Sequence, residues 1–419
     1  MRNIQGGSLL GGYRALDLTD EKGLFAGKIL ADMGADVIKV ERPGGDSARN
    51  IGPFYKDIPH PEKSLFWFAF NTGKRSITLD IKSQQGQDIF KRLARTADVV
   101  IESFPVGYLK TIGLGYNTLR RTSKQLIMAS ISAFGQTGPY KDYQGEDITV
   151  LAMGGLMQVC GDEERAPVQV GTPQTYLAAS LDAVESILTA LYARSTIGGG
   201  QFIDISARDG VVWSESEMVP YWTLLRENSG RHGRFREPPG GGIKVPVIWP
   251  CKDGFVNYIV QGGQPGAERN IAITRWLDEE GYASDYLRNK DWYQFDWRKI
   301  TQEEMGLFLK PLSRLFAAHT REELYAEAVK RGIGLAPTAD VTDLIASPQL
   351  EARRYWTKLE HAELDDSLIY PGAFAVMSET PITVQHRAPL IGEHNEEVYQ
   401  GELGIPREEA LVLKQTGVI

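Results

Sequence analysis

Tyr13-Arg14-Ala15-Leu16-Asp17-Leu18 and Asp36-Val37-Ile38-Lys39-Val40-Glu41 decide the fold, because each reads as a short strand and the residues between them read as a helix. Leu24, Ile29, Leu30 and Met33 recur at helical spacing, and Gly34 closes the run before the second strand. The unit then repeats. Ser76-Ile77-Thr78-Leu79 leads into a helix from Gln84 to Arg95 and returns through Ala97-Asp98-Val99-Val100-Ile101-Glu102; Leu126-Ile127-Met128-Ala129-Ser130-Ile131 continues the series. Strands joined by single helices need right-handed crossovers, which give a parallel sheet flanked by helices. The expected architecture is α/β, with a Rossmann-like large domain. No GxGxxG joins the first strand to its helix; Asp20-Glu21-Lys22-Gly23 stands there, so nothing marks a dinucleotide site. Ligands of open parallel sheets still gather at the carboxyl ends of the strands, where Arg42-Pro43-Gly44-Gly45 and Ser103-Phe104-Pro105 lie.

Further along, an Ala- and Leu-rich helix from about Tyr176 to Arg194 runs into Gly198-Gly199-Gly200 and a strand, Gln201-Phe202-Ile203-Asp204-Ile205-Ser206. The segment from Asn228 to Gly242 is dense in Gly, Pro, Arg and His and reads as a linker. Val247 to Val256, with Asp253-Gly254 at its centre, reads as a hairpin, and amphipathic helices fill the stretch from Ile271 to Arg331. Gly334-Leu335-Ala336-Pro337-Thr338 and the strand-rich residues Ser367 to Val384 suggest a return to the first domain before a final helix. The expected organisation is a large domain over residues 1–225, a smaller α/β domain over 226–332, and a return to the large domain over 333–419.

At 419 residues the chain exceeds what one core usually supports, which agrees with two domains. A net charge of −8 argues against a general binder of nucleic acid or anionic membrane, since either needs a basic face. Two cysteines, Cys160 and Cys251, are too few for a disulfide framework, and six scattered histidines show no metal-ligand spacing, so no bound metal is expected. Met1 to Gly7 are not followed by an apolar run of signal-peptide length, and no stretch approaches a membrane span. The expectation is a cytoplasmic protein.

Several segments, in order, resemble the third family of coenzyme A-transferases, which includes formyl-CoA and carnitine-CoA transferases and the 2-methylacyl-CoA racemases. They are Gly34-Ala35-Asp36-Val37-Ile38-Lys39-Val40-Glu41-Arg42-Pro43-Gly44-Gly45-Asp46, Asn71-Thr72-Gly73-Lys74-Arg75-Ser76, Phe134-Gly135-Gln136-Thr137-Gly138-Pro139-Tyr140, and Gly199-Gly200-Gln201-Phe202-Ile203-Asp204, with Ser347-Pro348-Gln349-Leu350 and Pro389 to His394 extending the likeness toward the carboxyl end. The resemblance implies an interlocked ring-in-ring dimer, no permanently bound cofactor, and coenzyme A or acyl-CoA as a substrate.

It also implies that the adenosine diphosphate end of coenzyme A lies near Arg42, Asn71, Lys74, Ser103, Phe104 and Ile112. Phosphates need cations or backbone donors, and adenine needs an apolar or aromatic face. Read as residues alone, each position has a plainer alternative. Arg42 can be a surface arginine held by Glu41 or Asp46, Lys74-Arg75 a solvated turn, and Phe104 ordinary packing. At Thr111 the family usually has a basic residue.

One position breaks the family pattern. Counting back without gaps from Leu191 to Gln201 sets Tyr176 where the family keeps its nucleophilic aspartate. In the family mechanism that carboxylate attacks the donor thioester, becomes a mixed anhydride, and is then converted by the CoA thiolate into an aspartyl-CoA thioester. A phenol has no acyl carbon and so can never carry CoA. The racemase acid–base pair is absent as well, since Glu146 stands near the histidine position and Tyr176 at the aspartate. Glu146, Asp147 and Asp182 remain as alternative acids, with Glu185 beyond them on the long helix.

Gly240-Gly241-Gly242 falls where transferases carry a loop that shields the anhydride, although such runs also serve as linkers. The expected function is the non-nucleophilic subunit of a heteromeric CoA-transferase, moving CoA from succinyl-CoA to an organic acid such as (R)-benzylsuccinate. Its expected partner is a homologous, aspartate-containing subunit, in a heterodimer or heterotetramer. A self-sufficient enzyme using another carboxylate and a non-catalytic CoA-ester-binding scaffold are the alternatives.

Overall fold

A computed structural model describes residues 8–238 and 242–419; Met1 to Gly7 and the expected loop glycines Gly240 and Gly241 lie outside the described residues. Contacts divide the chain into two units, one of residues 1–157, 169–226 and 349–419, the other of residues 158–168 and 227–348.

In the first unit, β1 (Arg14–Leu18), α1 (Leu24–Asp32), β2 (Asp36–Glu41), α2 (Leu65–Asn71), β3 (Arg75–Thr78), α3 (Gln84–Ala94), β4 (Val99–Glu102) and β5 (Ile127–Ser132) follow in turn. After α4 (Asp147–Gly154) comes the long helix α5 (Thr175–Ile197), then β6 (Phe202–Ser206), α6 (Ala207–Ser214) and α7 (Met218–Leu225). The sheet order is β3-β2-β1-β4-β5-β6, with every neighbouring pair parallel. Registers such as Leu16 beside Ile38 and Val100, and Ile131 beside Ile205, fix the alternation of faces. Ala15, Val37, Val99, Ile101 and Ala129 pack on one face with α1 and α5. Leu16, Ile38, Val40, Val100 and Met128 pack on the other with α3 and with Leu413, Val418 and Ile419 from the carboxyl end. Burial on both faces explains why the strands read as nearly continuous apolar runs.

The strand order runs outward in opposite directions from β1 and β4, which makes their carboxyl ends the switch point of the fold. The Gly198-Gly199-Gly200 turn has a steric cause. Gly198 caps α5 at φ +72, and a Cβ on Gly200 would lie 2.0 Å from the Leu126 carbonyl oxygen.

The second unit holds an antiparallel sheet of β7 (Ile248–Cys251), β8 (Gly254–Tyr258) and, after its helices, β9 (Leu335–Pro337). Its helices α8 (Gly263–Glu279), α9 (Gln302–Ala318) and α10 (Arg321–Arg331) enclose Trp249, Trp276, Phe308 and Phe316. Thr301 with Glu304 and Thr320 with Glu323 form capping boxes that start α9 and α10. Leu335–Pro337 pairs with β8, so these residues stay with the second unit rather than beginning the return that their sequence suggests. The first unit resumes at Gln349 and adds the hairpin β10 (Trp356–His361) and β11 (Asp366–Pro371), then α11 (Arg407–Gln415). The expected strand content from Ser367 to Val384 stops at Pro371; a Cβ on the next residue, Gly372, would lie 2.2 Å from the Tyr355 carbonyl oxygen.

Candidate functional site

A cleft of 260 Å³ opens at the carboxyl ends of β1 to β4, lined by Leu18 at the end of β1 and Asp20 after it, Arg42 after β2, Leu79 and Lys82 after β3, and Ser103, Phe104 and Tyr108 after β4. It spans the switch point, and its size suits one heterocyclic group rather than a whole drug-sized ligand.

Arg42 is exposed at the cleft, with its Nε donating to the Gly45 carbonyl at 3.0 Å. The acids expected to compete for it are taken. Glu41 accepts two hydrogen bonds from the buried Arg49, at 2.6 and 2.7 Å, and Asp46 pairs with Lys39 at 3.1 Å. Arg49 also pairs with Glu62 and lies 3.7 Å from the centre of the Trp67 ring, so the Arg42–Asp46 turn rests on a rigid base. Among the described residues Arg42 has no ion pair, and it lines the cleft. Lys82 is likewise exposed and unpaired among the described residues. Ser103 Oγ donates to Asp20 Oδ1 at 2.7 Å and accepts from the Asp20 backbone N–H at 2.9 Å. The half-buried Phe104 ring stands 5.0 Å from that of Tyr108. Two cations and two aromatic rings thus share the cleft, a combination suited to a phosphorylated heterocycle.

Three expected residues are elsewhere. Asn71 and Lys74 precede β3 and therefore sit on its amino-terminal side, where both are buried. Lys74 Nζ donates to Asp17 Oδ2, the Leu24 carbonyl and Asn71 Oδ1 at 2.8 to 2.9 Å, which uses all three of its protons. Burial pulls this ammonium down to about 8, against the opposing pull of Asp17. Ile112 packs against the core on the α3 face of the sheet. Arg42, Ser103 and Phe104 line the cleft; Asn71, Lys74 and Ile112 do not, although Ile112 packs on the same core cluster as Phe104. Of the expected loop only Gly242 is described, at φ +78.

Lys82 and Glu102 escaped the sequence reading. The signal for Lys82 was its place just past the β3 end, the rule that found Arg42. Glu102 closes an apolar strand; it is buried, and it accepts from the Phe104 N–H at 2.8 Å. Burial pushes its carboxyl up to about 7, while hydrogen bonds from Ser130 and Phe104 act in the opposite direction.

Tyr176 occupies the first turn of α5 and is 8% exposed. Its phenol donates to the Gly145 carbonyl oxygen. Burial raises its pKa well above the ordinary tyrosine value; Lys22 opposes that rise, and Glu146, Asp20 and Asp147 add to it. Lys22 pairs with Asp20 at 2.8 Å, so the tyrosine is electrostatically coupled to the cleft through these two residues without lining it. A neutral, hydrogen-bonded, buried phenol is a poor nucleophile.

Of the neighbouring acids, Asp147 is committed through one oxygen alone, its Oδ2 being buried without a hydrogen-bond partner among the described residues. Asp147 Oδ1 accepts from the backbone N–H groups of Gln174 and Thr175 at 3.0 and 2.9 Å, which caps α5 rather than the helix Asp147 itself begins. Glu146 is exposed ahead of α4. Asp182 lies six residues along α5 from Tyr176, about 9 Å at ~1.5 Å per residue, and packs against Gly210 of α6. Among the described residues, no group of three His, Cys, Asp or Glu could hold a metal ion, and no helix is long and apolar enough to cross a membrane.

An open parallel sheet with a cleft at its switch point, lined by cations and aromatic rings, defines an α/β protein that takes its ligand at the carboxyl ends of its strands. The chain belongs to CoA-transferase family III, whose model matches residues 10–395. It is 31% identical to the succinyl-CoA:(R)-benzylsuccinate CoA-transferase subunit BbsE of Thauera aromatica over 97% of both chains. It is 33% identical to the succinate–glutarate CoA-transferase of Agrobacterium fabrum, covering 93% of this chain and 94% of that one. Among solved structures, a CAIB/BAIF family protein from Brucella suis superposes with a TM-score of 0.79 at 26% identity, covering 94% of this chain and 99% of that one.

Proposed function

We propose that this chain is the non-nucleophilic subunit of a heteromeric family III CoA-transferase, acting with a homologous partner that supplies the aspartate. The observation that carries the reading is Tyr176, a buried phenol tied to the Gly145 carbonyl at the head of α5. Asp147 beside it gives Oδ1 to the helix cap. Likeness to BbsE, which is itself named a subunit, supports the reading. The donor is succinyl-CoA and the acceptor an organic acid such as (R)-benzylsuccinate, as in anaerobic toluene breakdown. The two subunits interlock as ring-in-ring chains, in a heterodimer or heterotetramer.

In this reading the cleft holds the nucleotide end of coenzyme A, with Arg42 and Lys82 on its phosphates, Phe104 and Tyr108 against adenine, and Ser103 fixing the wall through Asp20. The test is succinyl-CoA-dependent CoA transfer by the purified chain, alone and mixed with a homologous aspartate-bearing chain. Activity is expected only in the mixture, and full turnover by the chain alone defeats the reading.

A further inference from the structure

The second unit has a pocket of its own, 550 Å³ in volume and lined by second-unit residues alone, which falls within the size range of small-molecule sites. One part of its wall is aromatic. The rings of Trp297 and Phe295 meet edge to face with centres 4.6 Å apart, and Phe295 lies 5.6 Å from the buried Trp292, which packs 4.7 Å from Phe308 of α9. The corner made by Phe295 and Trp297 is thereby anchored to the core of the unit. Gly262, just before α8, lets Trp297 sit this close, because a Cβ there would lie 2.9 Å from the indole Nε1.

The charges in the pocket are unequal. Arg236, Arg298 and Lys299 line it against one carboxylate, Asp296, in a chain whose net charge is −8. Arg298 donates to Asp296 at 3.0 and 3.1 Å, and Lys299 stands 4.0 Å from the same carboxylate. Arg236 has no ion pair among the described residues, and its guanidinium carbon lies 5.9 Å from the centre of the Trp297 ring. It is half-buried, held by the pairing of Phe235–Arg236 with Val245–Pro246. A half-buried guanidinium without a carboxylate favours a bound anion, since its fork of N–H donors matches two carboxylate oxygens. One unengaged cation suits one negative charge, and the corner of two rings beside it suits a third ring.

We propose that this pocket binds an aryl carboxylate, with the carboxylate on Arg236 and the ring in the corner of Phe295 and Trp297. The site is built by the second unit and is independent of which chain supplies the nucleophile. Isothermal titration of the full-length chain with 3-phenylpropanoate tests it. The wild type saturates at one site, whereas succinate, which lacks the ring, and benzyl alcohol, which lacks the charge, bind at least about tenfold more weakly. Arg236→Gln melts like the wild type and weakens 3-phenylpropanoate binding by at least about tenfold. Arg236→Lys keeps the charge but not the fork, and weakens it by less; it decides the matter if the glutamine variant does not fold. Trp297→Leu removes the preference for 3-phenylpropanoate over succinate, and Arg42→Ala, which alters the cleft of the first unit, leaves that preference intact. Binding that never saturates, or inorganic phosphate bound as tightly as the aryl acid, overturns the proposal. So do folded Arg236 variants that bind undiminished, or loss of the aryl acid in Arg42→Ala, which would place it in the first unit's cleft.

Discussion

Glu102→Gln removes the ionisation of the acid behind the cleft while keeping its shape and its acceptor for the Phe104 N–H. Burial lifts the carboxyl from its ordinary 4.5 to about 7 in the folded chain. A folded-state value above the unfolded one means that the native chain binds the proton more tightly. The stabilisation from this group is therefore complete below pH about 4.5, and it is lost as pH rises toward 7. The difference between 4.5 and about 7, at ~1.36 kcal/mol per pH unit, amounts to roughly 3 kcal/mol. Glutamine pays no such penalty. Urea unfolding of the wild type and the variant, followed from pH 5 to pH 8, should show the variant gaining on the wild type by about 2–3 kcal/mol across that range and then levelling off. Parallel curves for the two proteins would show that Glu102 ionises normally and that the wall of the cleft is wetter than described.

Replacing Arg42 by alanine should weaken CoA binding about tenfold or more in calorimetry, the size of a charge-assisted phosphate contact, with the melting temperature nearly unchanged because Arg42 is exposed. Lys74→Met should behave in the opposite way. It strands the buried Asp17 carboxylate and costs about 3–5 kcal/mol of stability, while the folded fraction binds CoA as before. Gly200→Ala drives a methyl into the Leu126 carbonyl and should destabilise the first unit by at least about 1–3 kcal/mol in denaturant titration.

The sheet was legible because its strands are buried on both faces, and Leu16, Ile38 and Val100 announce that without help from distant residues. That Arg42, Ser103 and Phe104 line one cleft was legible because each follows the carboxyl end of a strand. Lys74 was misread for the converse reason. It precedes its strand, and only the fold reveals that its ammonium ends on Asp17. The cap on α5 joins Asp147 to Thr175 across 28 residues, which no local pattern encodes. Gly334 to Thr338 look like a re-entry to the first unit because their composition suits any strand, and pairing with β8 decides their place.

The account turns on where the covalent chemistry occurs. Incubation of the chain with succinyl-CoA, alone and with a homologous aspartate-bearing chain, followed by hydroxylamine or borohydride trapping and peptide mass spectrometry, locates the modified residue. The account predicts a modified aspartate on the partner and none on this chain, whereas a trapped carboxylate here, whether at Glu146, Asp147 or Asp182, would contradict it.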